Sequence, residues 1–270
     1  MFLKSLILIT IFLSFASINI QAYSQQKIKD FYLSNFKDDG TQDWEVKGET
    51  AIIHDDYVDI NDMEASYYAK DDTILITSDE ARLNKENMDV HLKDSVHIEN
   101  KEGATLDTDS LNWKREENRV ETDDWVKTTR DSMEIEAVGL SADTELKEAA
   151  FKKDVKVTLP DQENGEATTA TCSGPLEIEY STGKAIFNED VVVTHPQGKL
   201  YSDKATLFFD TENREIIKVI SEGNVKIVRG SNVTFSQKAT YLGKEQKVIL
   251  EGRPRVIYYP DSEEDLDLFR

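Results

Sequence analysis

From residue 31 onward, apolar and polar side chains alternate along the chain. Asp43-Trp44-Glu45-Val46-Lys47-Gly48 and Tyr57-Val58-Asp59-Ile60 begin the pattern, and Met88-Asp89-Val90-His91-Leu92, Ser95-Val96-His97-Ile98, Met133-Glu134-Ile135 and Asp154-Val155-Lys156-Val157-Thr158-Leu159 continue it. A period of two puts aliphatic groups on one face of a strand and charges on the other. This is the pattern of antiparallel sheets with one solvated face; the strands of a buried parallel sheet are apolar throughout. Turn chemistry separates the runs, as in Asp38-Asp39-Gly40, Asn100-Lys101-Glu102-Gly103, His195-Pro196-Gln197-Gly198 and Glu222-Gly223-Asn224. Residues 140–151 have the best helix composition, yet they overlap a repeated phrase that is strand-like elsewhere, and they read as strand.

That phrase organises the chain. Ser202-Asp203-Lys204-Ala205-Thr206-Leu207 has relatives beginning at Ser78, Thr108, Ala142, Cys172 and Ser236, so each spacing is either 30 or 34 residues. A period of this size marks a stacked array whose units bury their apolar faces against neighbours. At a modal strand length of about 5 to 6 residues, each unit has room for three short strands. Stacked units predict an all-β, antiparallel repeat β-jellyroll, either two stacked lobes or one continuous array, with aliphatic side chains between two facing sheets. The predicted inward set is Val90, Leu92, Val96, Ile98, Leu111, Trp113, Val155, Val157, Phe187, Val191, Val193, Leu207, Phe209, Val225 and Ile227. Asp79, Asp109, Asp143 and Asp203 recur where the chain must turn or cross between sheets. Aspartate bonding its own backbone accounts for them; calcium-binding β-helices carry Gly-rich nonapeptide repeats, which this sequence lacks.

Charge and composition narrow the function. With 53 Asp and Glu against 32 Lys and Arg, a formal net charge of −21 repels nucleic acid, and no nucleic-acid partner is expected. The single cysteine, Cys172, stands where other copies have Ser, Thr or Ala, which suits a small packed residue. His54, His91, His97 and His195 lack metal-ligand spacing, and the chain has no Gly-rich phosphate loop, nucleophile elbow or zinc-protease motif. A non-enzymatic binding protein without cofactor or metal is the reading that remains. Residues 1–22, with Lys4 ahead of an apolar run and Ala22 at a cleavage position, read as an export signal or a short membrane anchor. Residues 261–270 form an acidic, solvated tail.

Two stretches carry a family resemblance. Trp44-Glu45-Val46-Lys47-Gly48-Glu49-Thr50-Ala51, Thr108-Asp109-Ser110-Leu111-Asn112-Trp113, Arg119 to Val126 and Gly139-Leu140-Ser141-Ala142-Asp143 resemble the lipopolysaccharide-transport protein LptC. Gly183 to Val193, Ser202-Asp203-Lys204-Ala205 and Glu222-Gly223-Asn224-Val225-Lys226-Ile227 are similar to LptA, of the OstA-like type. The resemblance divides the chain into an LptC-like jellyroll over 23–165 and an LptA/OstA-like jellyroll over 166–260. It implies a periplasmic protein that binds lipopolysaccharide acyl chains in a groove between its sheets. It also implies an inner-membrane lipopolysaccharide ABC transporter as one partner and LptA-like or LptD-like bridge proteins as others, joined through edge strands. The terminal strands offer Phe31, Tyr32 and Phe36 at one end and Val256, Ile257 and Tyr258 at the other. The alternative is an exported structural or adhesive β-repeat with a closed, dry core.

Overall fold

In the computed structural model, residues 26–37, 39–68, 72–143, 147–160, 166–213 and 215–259 are described. Residues 1–22, expected to be an export signal or short anchor, and the acidic tail over 261–270 lie outside them. Among the described residues, seventeen strands and one short 3-10 turn make up the regular structure. The strands are β1 (Gln26–Phe36), β2 (Gln42–Ile53), β3 (Tyr57–Tyr68), β4 (Thr73–Asn84), β5 (Val90–Asn100), β6 (Thr105–Lys114), β7 (Arg119–Arg130), β8 (Met133–Asp143) and β9 (Glu148–Pro160). They continue with β10 (Ala167–Cys172), β11 (Leu176–Glu179), β12 (Lys184–His195), β13 (Gly198–Phe209), β14 (Ile216–Arg229), β15 (Asn232–Leu242), β16 (Lys247–Glu251) and β17 (Arg255–Ile257).

From β1 to β9 each strand pairs antiparallel with its successor. β10 and β11 act as two halves of one broken strand, since both pair with β9 on one side and β12 on the other. The succession resumes through β15, against which β16 and β17 lie as two halves of the last strand. The all-β, antiparallel expectation therefore holds, and residues 140–143 and 148–151 are strand. The ladder runs on through the Pro160 to Ala167 connection, because Ala167 to Cys172 pair with Pro160 to Val155.

The repeat unit is two long strands, not three short ones. Each strand is interrupted near its middle by an irregularity that turns the chain from one sheet into the other. Register shifts fall at Thr77/Glu80, Lys93/Val96, Thr108/Asn112, Thr122/Trp125, Asn188/Val191, Tyr201/Lys204 and Glu222/Val225. Backbone angles agree, with positive φ at Asp30, Asp62, Asp94, Ser95, Asp154, Glu189, Asp190 and Asn224 and at Gly139 and Gly223. A bulge of this kind bends the strand and re-aims its side chains. At Gly223 (φ +77°) only glycine fits, because a Cβ there would stand 2.2 Å from Asp203 Oδ2.

The strand halves make two wings joined along a spine of bends. Wing I holds the first half of β1, the second half of β2, the first half of β3 and so on; wing II holds the complementary halves. Two apolar clusters fill the space beside the spine, and each draws on both wings. One runs from Phe31 and Ala51 through Ile60, Met63, Leu92 and Val96 to Leu111. The other runs from Val126 and Ile135 through Phe151, Val155, Leu176 and Phe187 to Ala205, and so spans the 160–167 connection. Val120 packs against both clusters and links them.

Asp79 and Asp203, two of the four recurrent aspartates, are explained by the bends, though not through their own backbone. Asp79 accepts from Ser95 Oγ at 3.0 Å, and Asp203 accepts from Asn224 Nδ2 at 2.9 Å, in each case across to the next strand's corner. Asp124 with Ser110 Oγ (2.5 Å) and Asp190 with Ser173 Oγ (3.0 Å) repeat the device. Asp143 departs from the set: it ends β8, where its carboxylate accepts from the backbone N–H of Lys147 and Glu148. The bend of β8 lies at Gly139 instead.

Candidate functional site: the interior between the wings

Strand register lines up the inward side chains into one lane on each wing. On wing I the partners run Ile53, Val58, Leu83, Val90, Trp113, Val120, Ala142 and Ala149. They continue through Ile178, Ala185, Leu207, Val219, Tyr241 and Val248. On wing II the lane runs Leu33, Val46, Ala65, Ile76, Ile98, Leu106, Thr128, Ile135, Val157, Ala170, Val193, Leu200, Ile227, Thr234 and Val256. Two threonines are the only polar members of wing II's lane, and no charged side chain stands in either.

Burial grades away from the spine. Next to the bends Leu92, Val96, Leu111, Val155, Val191 and Val225 are each at most 4% exposed. Toward the strand ends Val90, Ile98, Val193, Leu207, Phe209 and Ile227 are partly exposed, and Trp113 reaches 37%. The fifteen residues expected to point inward all do so, and they sort into two kinds. Leu92, Val96, Leu111, Val155, Val157, Phe187, Val191 and Val225 are packed against the spine. Val90, Ile98, Trp113, Val193, Leu207, Phe209 and Ile227 line the more open part.

The interior is tightest in the middle. From β8 to β12 the wing I lane members Ala142, Ile178 and Ala185 are buried. Beyond β13 the inward residues Val219, Ile227 and Tyr241 are only partly covered. Coverage of the inward side chains is thus greatest along the spine and at the centre of the array, and it falls beyond β13.

Sequence reasoning missed many lane members: Val58, Leu83, Val120, Ala149, Val219 and Tyr241 on wing I, and Val46, Ile76, Leu106, Ile135, Ala170 and Leu200 on wing II. The same alternation marks them. Eight of these twelve also stand directly opposite a predicted residue in the register, Val58, Ala149, Tyr241 and Val46 being the exceptions. The corner residues Thr50, Ser78, Ser202 and Ser221 are buried at 5% or less, and the hydroxyls of the first three find no partner among the described residues. Small side chains are what two meeting sheets leave room for at a corner. Cys172 belongs to this set: it is 3% exposed, and burial pushes its thiol up to about 11, far from the reactive thiolate range.

The two ends of the array are unpaired among the described residues. β1 pairs only with β2, and β16 and β17 pair only with β15. Tyr32 and Phe36 (59% each), Val256 (64%), Ile257 (45%) and Tyr258 (41%) are exposed there. Phe31 is not: at 8% exposure it packs inward among Ala51, Ile60 and Met63, so its ring belongs to the core while its backbone stays on the edge.

A carboxylate fastens the first edge. Glu45 accepts from Tyr32 Oη and Gln42 Nε2, each at 2.7 Å, and from Tyr68 Oη at 2.9 Å, tying β1 to β2 and β3. These donors, Tyr32 foremost, hold the Glu45 carboxyl below the usual carboxylate range. A lowered folded-state pKa contributes stability that is present above the unfolded-state value and lost as pH falls through the folded one. The protection of the β1 amides, measured as exchange relative to the intrinsic rate at the same pH, is therefore expected to fall as pH drops below about 4.5, more steeply in the wild type than in Glu45→Gln.

Comparison with known families gives two matches. Residues 64–160 match the model for LptC, described as lipopolysaccharide-assembly, LptC-related. Residues 172–264 match the model for the LptA/(LptD N-terminal domain) LPS transport protein. No curated protein matches the chain.

Proposed function

We propose that this chain, which belongs to the LptC-related family across its first part and to the LptA/LptD N-terminal family across its second, holds lipopolysaccharide by its acyl chains in the slot between the wings. Membership of both families gives it a role in lipopolysaccharide transport. No helix among the described residues is long and apolar enough to cross a membrane. The protein works in the periplasm, and the array passes the lipid along itself, from an inner-membrane ABC transporter toward the outer membrane.

One observation carries this reading: two uncharged inward lanes that keep the same register across the boundary between the two family segments. Burying a methylene contributes about 0.8 kcal/mol, so several acyl chains are held without any positive charge in the slot. The sugar and phosphate groups stay at the mouth, in water. The partly exposed lane residues can contact such chains without disturbing the packed spine. The exposed terminal strands serve as docking edges, β1 toward the transporter and β16–β17 toward the next bridge unit, by strand addition.

The test places a photoreactive amino acid at Leu207 and Ile227 in the lanes, at Ile220 on the outer face of wing I, and at Tyr32 and Ile257 on the edges. In cells, lipopolysaccharide is expected to crosslink at Leu207 and Ile227 and not at Ile220, and protein partners at Tyr32 and Ile257. Equal labelling of lane and outer face, or purified protein without lipid and without lane crosslinks, overturns the slot and favours a structural repeat. Unlabelled edges overturn the docking assignment alone.

A further inference from the structure

The outer face of wing II changes character along the array. One outward row can be followed from β2 to β17, and over its first part each lysine and the one histidine meet a carboxylate. Lys47 lies 2.7 Å from Glu64, His97 2.6 Å from Asp107, Lys127 2.7 Å from Glu134 and Lys156 2.9 Å from Glu136. From β12 on, the same row reads Val192, Tyr201, Lys226, Phe235, Arg255. Here the cations lie over aromatic rings, Lys226 over Tyr201 at 5.4 Å and Arg255 over Phe235 at 5.8 Å. Lys199 stands in the adjacent outward row, opposite Val228. None of these three cations has a carboxylate partner among the described residues.

The whole segment shares this bias. Residues 184–259 carry twelve Lys and Arg against nine Asp and Glu, whereas residues 1–183 carry nineteen against thirty-nine. A basic, aromatic face on a chain of net −21 calls for an anionic occupant.

Its size limits what that occupant can be. Two outward rows across five strands cover roughly 24 by 14 Å, about 330 Å². A stable contact with a second folded copy needs about 800 Å² on each side. An extended segment of about seven to ten residues fits.

We propose that the occupant is this chain's own residues 261–269, Asp-Ser-Glu-Glu-Asp-Leu-Asp-Leu-Phe, laid across Arg255, Phe235, Lys226 and Tyr201. Five carboxylates answer the cations, and Leu266, Leu268 and Phe269 answer the rings and Val228. The point of departure is right. Tyr259 is fixed to the β14–β15 turn, its N–H donating to Asn232 Oδ1 at 2.9 Å and its carbonyl accepting from Ser231 Oγ at 3.5 Å. From β17 to β13 is three strand spacings, about 14 Å, and nine extended residues reach about 30 Å. In this position the tail screens a surface that otherwise attracts anionic lipid, and it leaves the β16–β17 edge clear. The assignment does not depend on what the slot carries.

The test uses the delipidated full chain with benzoylphenylalanine at Tyr201, and at Thr206 on wing I as control. Mass spectrometry is expected to find intrachain links from position 201 to residues 261–269. These links should fall several-fold at 0.5 M salt, and also when Asp261, Asp265 and Asp267 become Asn and Glu263 and Glu264 become Gln. The chain ending at Tyr259 is expected to bind phosphatidylglycerol vesicles at least several-fold better than the full chain. Links from position 201 to a second copy, links to the tail that ignore charge and salt, or equal vesicle binding by the two chains overturns the proposal.

Discussion

Leu176→Ala is expected to lower the unfolding free energy by about 3 kcal/mol, the middle of the range for a buried leucine cut back to alanine. Leu176 is 1% exposed and stands between Phe151 and Phe187 in the ladder, at the point where one half of the broken strand resumes. All three belong to a cluster with members on both wings, so the cavity would open where the sheets are held together. In a chain of this length the loss corresponds to a fall in Tm of roughly 6–12 °C, measurable by calorimetry or circular dichroism. Leu207→Ala removes the same atoms from a partly exposed lane position and should cost about 1 kcal/mol, because those atoms leave less dry surface behind. Equal losses at the two positions would mean that the slot is packed as tightly as the spine, and a slot packed like that has no room for lipid.

The contrast between these two leucines also explains what the sequence could and could not disclose. Alternation survives because every inward residue, from Val46 to Tyr241, has outward neighbours that meet water. Strand length does not survive, because the corner breaks the period. Inward positions in β13 run Leu200, Ser202, Ala205, Leu207 and Phe209, with a gap of three across the bend, and in β12 they run Ala185, Phe187, Val191 and Val193, with a gap of four. A twelve-residue strand then reads as two short ones, and a hairpin as a cluster of short strands. The corners do leave a mark, in polar pairs such as Asp94-Ser95, Asp123-Asp124, Glu189-Asp190 and Gly223-Asn224 set inside apolar runs. Burial was the part least visible. Phe31 and Tyr32 are neighbours of similar size, yet one ring enters the core and the other is bonded to Glu45 on the outer face, a difference set by the bend at Asp30. In the same way, Trp113 and Leu111 share a face but differ by 35% in exposure, 37% against 2%, because one lies at the strand's end and the other beside the corner.

Val193→Glu, alone or with Ala170→Glu beside it, is expected to divide the array into a part that loads and a part that stays empty. Val193 pairs with Ala170 on one side and Leu200 on the other, in wing II's lane where the first family segment gives way to the second. The site is partly exposed, so the carboxylate can reach water at the mouth and the fold is expected to persist with a Tm within a few degrees of wild type. An acyl chain meets a different surface: passing this rung now means contact with an ionised group that must shed part of its hydration, at several kcal/mol. The proposed direction of travel makes the outcome asymmetric. Lipid crosslinks at Ile76 and Ile98, before the block, should remain, while those at Ile227 and Leu207 should fall at least tenfold, which corresponds to about 1.4 kcal/mol in the occupancy of the far segment. Val192→Glu, one residue away and facing outward, should leave both sets unchanged. Crosslinks lost equally on both sides would point to a single binding pocket spread over the array. Crosslinks retained beyond Val193→Glu would mean that lipid reaches the second segment from solution, without travelling along the lanes.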